Sequence, residues 1–213
     1  MTPGAEQKTS QDVLTDAAGT PSRERRVTPG RLIVISGPSG VGKTTICHAL
    51  RGRGRIVRSV SATTRAPRPG EAHGRDYFFL KREEFIAKRD AGGFLEWAEY
   101  AGNLYGTPKD FVQEQTKDGN FPLLEIEVQG VVQLRQQGWP GIYVFIAPPS
   151  IDDLRTRLEK RGNMPPEVIA RRIKVAEEEL KHRELYDFTV VNDTIDRALA
   201  EVLDILDKKL KKE

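Results

Sequence analysis

The sequence predicts an α/β fold with a three-layer core, in which helices cover both faces of a parallel sheet and two inserts interrupt the sheet. Three observations carry this expectation. Continuous apolar runs rich in β-branched residues recur along the chain, as strands buried on both faces require. Each run is followed by apolar residues at helical spacing. The first run leads directly into a glycine-rich loop and then a helix, a pattern that ties a local backbone shape to a chemistry.

The chain has 213 residues, enough for one generous domain with its own core. It is 38% hydrophobic and 31% charged, and no apolar run approaches the roughly 20 residues that span a bilayer. Basic and acidic residues nearly balance at a net charge of +3, which describes an ordinary solvated surface rather than a nucleic-acid footprint. Neither a nucleic-acid polymer nor a membrane is expected as a partner. Cys47 is the single cysteine and cannot close an internal disulfide, and the first residues lack the apolar stretch of a secretory signal. A cytoplasmic, reducing location is therefore expected. Cys47 has only His48, His73 and His182 as further soft ligands, which excludes a protein-built zinc or redox centre and leaves it to the core.

Residues 1–29 are polar, rich in Gly, Ala, Ser, Thr and Pro, and without sustained periodicity, the composition of a flexible tail outside the fold. The domain is expected over 30–211. Its first strand is the run Leu32, Ile33, Val34, Ile35, and further strands are expected at Pro122 to Val128, Ile142 to Ala147 and Phe188 to Val191. Helices follow with Val131, Val132 and Leu134, then with Ile151, Leu154 and Leu158 behind the capping pair Ser150 and Asp153. The last carries Ile195, Leu199, Val202, Leu206 and Leu210. Between these pieces of core (30–60, 119–151 and 187–211) lie two inserts. The first, 61–118, has short strand-like pieces around Asp76 to Leu80 and Phe94 to Tyr100 and helical pieces at Arg82 to Lys88 and after Thr107-Pro108. The second, 152–186, reads as a lid, with Pro165-Pro166 separating one charged helix from another carrying Ile169, Ile173, Ala176 and Leu180.

Gly37-Pro38-Ser39-Gly40-Val41-Gly42-Lys43-Thr44 follows the first strand and opens a helix, matching the spacing and the context of a phosphate-binding loop. Glycines let backbone N–H groups close around phosphate oxygens, and the helix N-terminus adds positive potential. Lys43 would reach the β- and γ-phosphates, and the Thr44 hydroxyl would ligate Mg²⁺. The loop identifies a nucleoside triphosphate and leaves the reaction open, because GTPases, ATPases and kinases share it.

The rest of the chain resembles guanylate kinase, from about Arg31 to near the C-terminus, through several motifs in one order. Ser59-Val60-Ser61-Ala62-Thr63-Thr64-Arg65-Ala66-Pro67-Arg68-Pro69-Gly70-Glu71, followed by Gly74-Arg75-Asp76-Tyr77-Phe78-Phe79, is similar to the segment of that family that holds the GMP phosphate. The resemblance implies that Arg65, Arg68, Tyr77 and Tyr105 bind the acceptor phosphate, a task suited to two-pronged guanidinium groups and fixed phenol donors. Phe94-Leu95-Glu96-Trp97-Ala98-Glu99-Tyr100 and Gly102-Asn103-Leu104-Tyr105-Gly106-Thr107 resemble the guanine-reading segment. Glu96 would accept from the guanine N1–H and exocyclic amine, a donor pair that adenine lacks, while Ser61 and Thr107 would donate to O6 or its neighbours. Thr107 before Pro108 is also a good helix start.

Leu123-Leu124-Glu125-Ile126-Glu127-Val128-Gln129-Gly130 closes a strand on the side where α/β sheets bind ligands. Alternation would put Glu125 and Glu127 on one face. Glu125 is the expected Mg²⁺ partner through water; Glu127 is open to a guanine contact, a metal-water contact or a plain strand-end charge. Ile146-Ala147-Pro148-Pro149-Ser150 and the arginines after it are also similar to the family, which implies that Arg161 and Arg172 close over the moving phosphoryl group beside Lys43 and Arg68. Asn192-Asp193 resembles the adenine-side contact, although Asp193 is equally suited to cap the last helix. The chain departs from the family at Asn163-Met164-Pro165-Pro166, where a polar turn with Thr or Ser is usual.

The resemblance implies ATP + GMP ⇌ ADP + GDP with Mg²⁺, with dGMP as a further acceptor. Two rival readings share the loop. A peptide-binding module that has lost catalysis would not keep Gly42, Lys43, Thr44 and both lid arginines, and a different small-molecule phosphotransferase would not need Glu96 and Thr107 to read a base.

Overall fold

The computed structural model describes residues 31–160, 162 and 164–210. The expected tail, 1–29, and Arg161 lie outside them. Five parallel strands form the central sheet: β1 (Leu32–Ser36), β2 (Ile56–Arg58), β7 (Phe121–Glu125), β8 (Gly141–Ala147) and β9 (Phe188–Val191), in the order β2-β7-β1-β8-β9. β1 is central, bonded to β7 through Ile33↔Leu123 and to β8 through Ile33↔Ile142. Successive side chains alternate between its faces. Ile33 and Ile35 pack with Ile142, Val144 and Ile146 against α1 (Lys43–Leu50) and α7 (Ile195–Leu210). Leu32 and Val34 pack with Tyr143 and Phe145 against α4 (Val128–Gln136) and Val112 of α3 (Lys109–Lys117). A strand covered on both sides has no polar face, which is why these runs are continuously apolar. Cys47 is buried among them, and that burial pushes its thiol up, away from the thiolate a reactive cysteine needs.

A smaller sheet, in the order β4-β3-β6-β5, is built from β3 (Ala62–Thr63), β4 (Phe78–Phe79), β5 (Phe94–Tyr100) and β6 (Asn103–Pro108). With α2 (Arg82–Asp90) it encloses its own cluster of Ala62, Phe85, Phe94 and Leu104. Residues of the first expected insert thus share a small core. The strand expected at Pro122 to Val128 stops at Glu125, because Glu127 caps α4 and Val128 starts it. The chain turns between the two carboxylates instead of continuing their alternation. Ile56–Arg58 was not expected as a strand: it is short, ends in arginine, and forms an edge of the sheet against β7. β6 contains Gly106 and Pro108, poor strand residues, and owes its conformation to antiparallel pairing with β5 through Glu96↔Thr107.

The segment expected as a lid folds as α5 (Ile151–Lys160) and α6 (Pro166–Glu179), followed by a 3-10 turn at Leu180–Leu185. Ser150 caps α5 as expected, its Oγ accepting from the Asp153 amide at 3.0 Å and donating to the Asp153 carboxylate at 2.6 Å. Leu154 and Leu158 meet Ile169, Ile173 and Ala176 in a cluster separate from both faces of the sheet. Truncating Leu158 to Ala leaves a cavity there, and urea denaturation is expected to show a loss of about 2–5 kcal/mol. Wild-type stability would mean that the two lid helices do not depend on this contact.

Candidate active site

β1 ends at Ser36, and the glycine loop turns back from it into α1. Two glycines are dictated by space as well as by φ. A Cβ at Gly37 (φ +139°) would strike the Ile146 carbonyl, and one at Gly42 (φ +103°) would strike the Asn192 amide. That amide is the loop's support: Asn192 is buried and its Nδ2 donates to the Val41 carbonyl at 2.6 Å. Arg157 holds the same corner by donating to the main-chain oxygens of Asn192 at 2.8 Å and Asp193 at 3.1 Å. The Asp193 carboxylate accepts from the Thr194 amide at 2.6 Å and pairs with Arg197, so it is engaged at the entry to α7.

Lys43 is only 8% exposed, and its Nζ donates to the Gly37 carbonyl and, at 3.3 Å, to that of Pro38. Thr44 Oγ1 donates to Glu125 Oε1 at 2.5 Å. Arg172, projecting from α6, donates to Ser39 Oγ at 3.2 Å and so joins lid to loop. Opposite the loop, Ser61, Arg68, Tyr77 and Tyr105 face the same cleft, which has a volume of about 290 Å³. Arg65 stands beside this cleft. Its guanidinium is gripped by both oxygens of Glu71, at 3.0 and 2.9 Å, and lies 5.4 Å from the Tyr77 ring centre. Glu71 also accepts from the Arg68 amide at 2.8 Å, so one carboxylate orders the arginine loop.

Glu96 is 5% exposed and points into the far end of the cleft. Thr107 serves it twice, through Oγ1 at 2.6 Å and through its main-chain N–H. That settles the competing use of Thr107: Pro108 precedes α3 without a side-chain cap, and the threonine hydroxyl belongs to the carboxylate. Burial pushes the Glu96 carboxyl up to about 7; the Thr107 donors oppose the rise and the charge of Glu127 adds to it.

Glu127 also reaches the cleft, 3.8 Å from Lys43 Nζ, and its buried Oε2 has no hydrogen-bond donor. Glu179, in the last turn of α6, lies against it. Burial first, and then the Glu127 charge, push Glu179 up to about 8, as two carboxyls sharing one site require.

The guanylate kinase family model matches residues 29–209. The chain belongs to the guanylate kinase family. Two relatives are the guanylate kinases of Shouchella clausii, 48% identical over 81% of this chain and 85% of its own, and of Rubrobacter xylanophilus, 48% identical over 83% and 93%. Among solved structures, the guanylate kinase from Anaplasma phagocytophilum superposes with a TM-score of 0.69 at 34% identity, covering 85% of this chain and 87% of that one.

Within this guanylate kinase fold, the residues singled out in the sequence divide into those that line the cleft and those that stand behind it. Lys43, Thr44, Arg68, Glu96, Glu125 and Arg172 line it. Gly37 and Val41 build the loop, Asn192 braces it, and Thr107 backs Glu96. Sequence reasoning passed over Glu71 and Glu179. Glu71 closes the quoted arginine segment. Glu179 sits in a run of three glutamates that looks solvated, yet it falls three residues beyond Ala176 on the inner stripe of α6.

The buried carboxyl provides a direct measurement. Carbon-detected NMR is expected to show Glu96 titrating near pH 7, with Glu127→Gln lowering the midpoint and Thr107→Val raising it. The proton is taken up on folding, so the stability it contributes is complete below the ordinary value of 4.5 and is lost as pH rises toward about 7. An ordinary midpoint in the wild-type protein would contradict the desolvation.

Proposed function

We propose that this chain is an ATP-dependent GMP kinase, catalysing ATP + GMP ⇌ ADP + GDP in cytoplasmic purine nucleotide recycling, with dGMP as a second acceptor. The observation that carries the reading is the meeting of two sites across one cleft. The phosphate loop with Lys43 lies at one end and the buried Glu96–Thr107 pair at the other, with Arg68, Tyr77 and Tyr105 between them. This is the layout needed for a triphosphate, a monophosphate and a purine edge in line.

On this reading the donor phosphates displace the Gly37 and Pro38 carbonyls as partners of Lys43, and the ammonium exchanges neutral acceptors for charged ones. Arg172 leaves the Ser39 hydroxyl for the transferring phosphoryl group as the lid closes, and Arg161, outside the described residues, is assigned the same role by the family resemblance. Arg68, Arg65 and the two tyrosines hold the GMP phosphate, one of whose oxygens attacks the γ-phosphorus while the bond to the β-bridging oxygen breaks. The attacking phosphate oxygen is already anionic, so the residues' work is positioning, neutralising charge and excluding water. Glu96 accepts from guanine N1–H and its amine, and Ser61 donates on the same edge.

Mg²⁺ fits the chemistry of the donor set. Thr44 Oγ1 and Glu125 Oε1 are hard oxygens 2.5 Å apart at the loop. Among the described residues no group of three or more His, Cys, Asp or Glu gathers to hold a metal, so the ion's remaining ligands would be phosphates and water. When bound it would neutralise charge on the phosphates.

ADP formation with ATP and Mg²⁺ is expected with GMP and to be at least about 100-fold weaker with AMP, UMP or CMP, since a site built for a donor pair leaves a buried carboxylate unpaired by the wrong base. Lys43→Ala should lower kcat by about 100- to 1,000-fold without unfolding the protein. Glu96→Gln should reduce kcat/KM for GMP by about 10- to 100-fold while the KM for ATP stays within about twofold. Turnover that does not depend on GMP would overturn the proposal.

A further inference from the structure

β5, which carries Glu96, is the outer strand of the smaller sheet and pairs on one side only, with β6. An outer strand leaves alternate N–H and C=O groups without a ladder partner. Here they have one, supplied by a core helix. Gln133 of α4 donates from Nε2 to the Trp97 carbonyl at 2.5 Å and accepts from the Trp97 amide at its Oε1 at 3.1 Å. A primary amide presents the same donor and acceptor as a peptide unit, so Gln133 takes the place of one residue of a neighbouring strand. One turn further, Gln137 at the C-cap of the helix donates to the Leu95 carbonyl at 3.2 Å. Leu95 and Trp97 are the two neighbours of Glu96. The third contact is made by omission: a Cβ on Gly130 would lie 3.0 Å from the Glu96 Cδ and closer still to Oε2, so only glycine lets the helix approach the carboxylate. Positions 130, 133 and 137 share one face of α4 through their spacing of three and four.

We infer that Gln133 is a positioning residue for guanine selection, clamping the main chain of Trp97 so that the adjacent Glu96 carboxylate is held at a fixed place relative to the core. α4 leads directly out of β7, which is bonded to β1 and its phosphate loop. The base reader is therefore tied to the element that carries the donor site, and the distance between the two does not depend on the subdomain's own small core. Glutamine is required because the Trp97 peptide needs both a donor and an acceptor. Leucine supplies neither, and glutamate would set a carboxylate against the Trp97 carbonyl.

The inference rests on the proposed role of Glu96, and the test separates the two. GMP is compared with inosine monophosphate, which keeps the N1–H and lacks the exocyclic amine, in steady-state assays of wild type, Gln133→Leu, Gln133→Glu and Glu96→Gln. Both Gln133 variants are expected to lower the GMP-to-inosine-monophosphate ratio of kcat/KM by about 5- to 30-fold, mainly through the KM for GMP, with the KM for ATP within about twofold of wild type. Gln133→Glu keeps the length and one acceptor and carries the test should the leucine variant not fold. A ratio that collapses in Glu96→Gln and is unchanged in the folded Gln133 variants overturns the inference and leaves the Glu96 reading standing. A ratio unchanged in Glu96→Gln overturns both.

Discussion

A carboxylate withdrawn from water must be given donors, and the fold around Glu96 is organised by that requirement. Thr107 supplies two, from its hydroxyl and its amide, and can do so because β5 and β6 pair with Glu96 opposite Thr107. Gly130 makes room for the side chain, and Gln133 and Gln137 hold the strand on either side of it. The same carboxylate also lines the cleft. A carboxyl raised to about 7 is poised between its two forms, and a ligand presenting a donor pair selects the charged one.

The opposite end of the cleft has the converse character. Each cation there leans on a protein group that a phosphate can replace: Lys43 on the Gly37 and Pro38 carbonyls, Arg172 on the Ser39 hydroxyl. Arg65 is different, since both Glu71 oxygens hold it and the same carboxylate fixes the Arg68 amide. That loop is ordered before any anion arrives, so little rotamer freedom is left to lose on binding. Glu127 adds negative charge beside Lys43, and its proximity raises the Glu179 carboxyl at the end of α6.

Much of this was legible in the sequence because strong local patterns coincide with tertiary roles. Leu32 to Ile35 reads as a doubly covered strand and is one; the glycine loop announces both its conformation and its chemistry. The short strands were hidden for the same physical reason in reverse: Ile56–Arg58 and β6 are shaped by their partners rather than by apolar runs of their own. Side-chain supports were the least visible. Asn192 was noticed as a nucleotide contact and serves as a brace for the loop, while Gln133 looks like any polar residue on an amphipathic helix until its partner strand is placed beside it. Glu127 alternates with Glu125 in sequence but turns with the chain into the start of α4.

The proposed coupling between the desolvated Glu96 carboxylate and the guanine edge is measured most directly by calorimetry. GMP binding followed at pH 6.5 in buffers of different ionisation enthalpy counts protons released, and the difference between wild type and Glu96→Gln isolates Glu96 from the ligand's own phosphate. With a midpoint near 7, the wild-type protein is expected to release roughly three-quarters of a proton more than the variant, and to bind GMP more tightly as pH rises toward 8. Equal proton counts in the two proteins would contradict it.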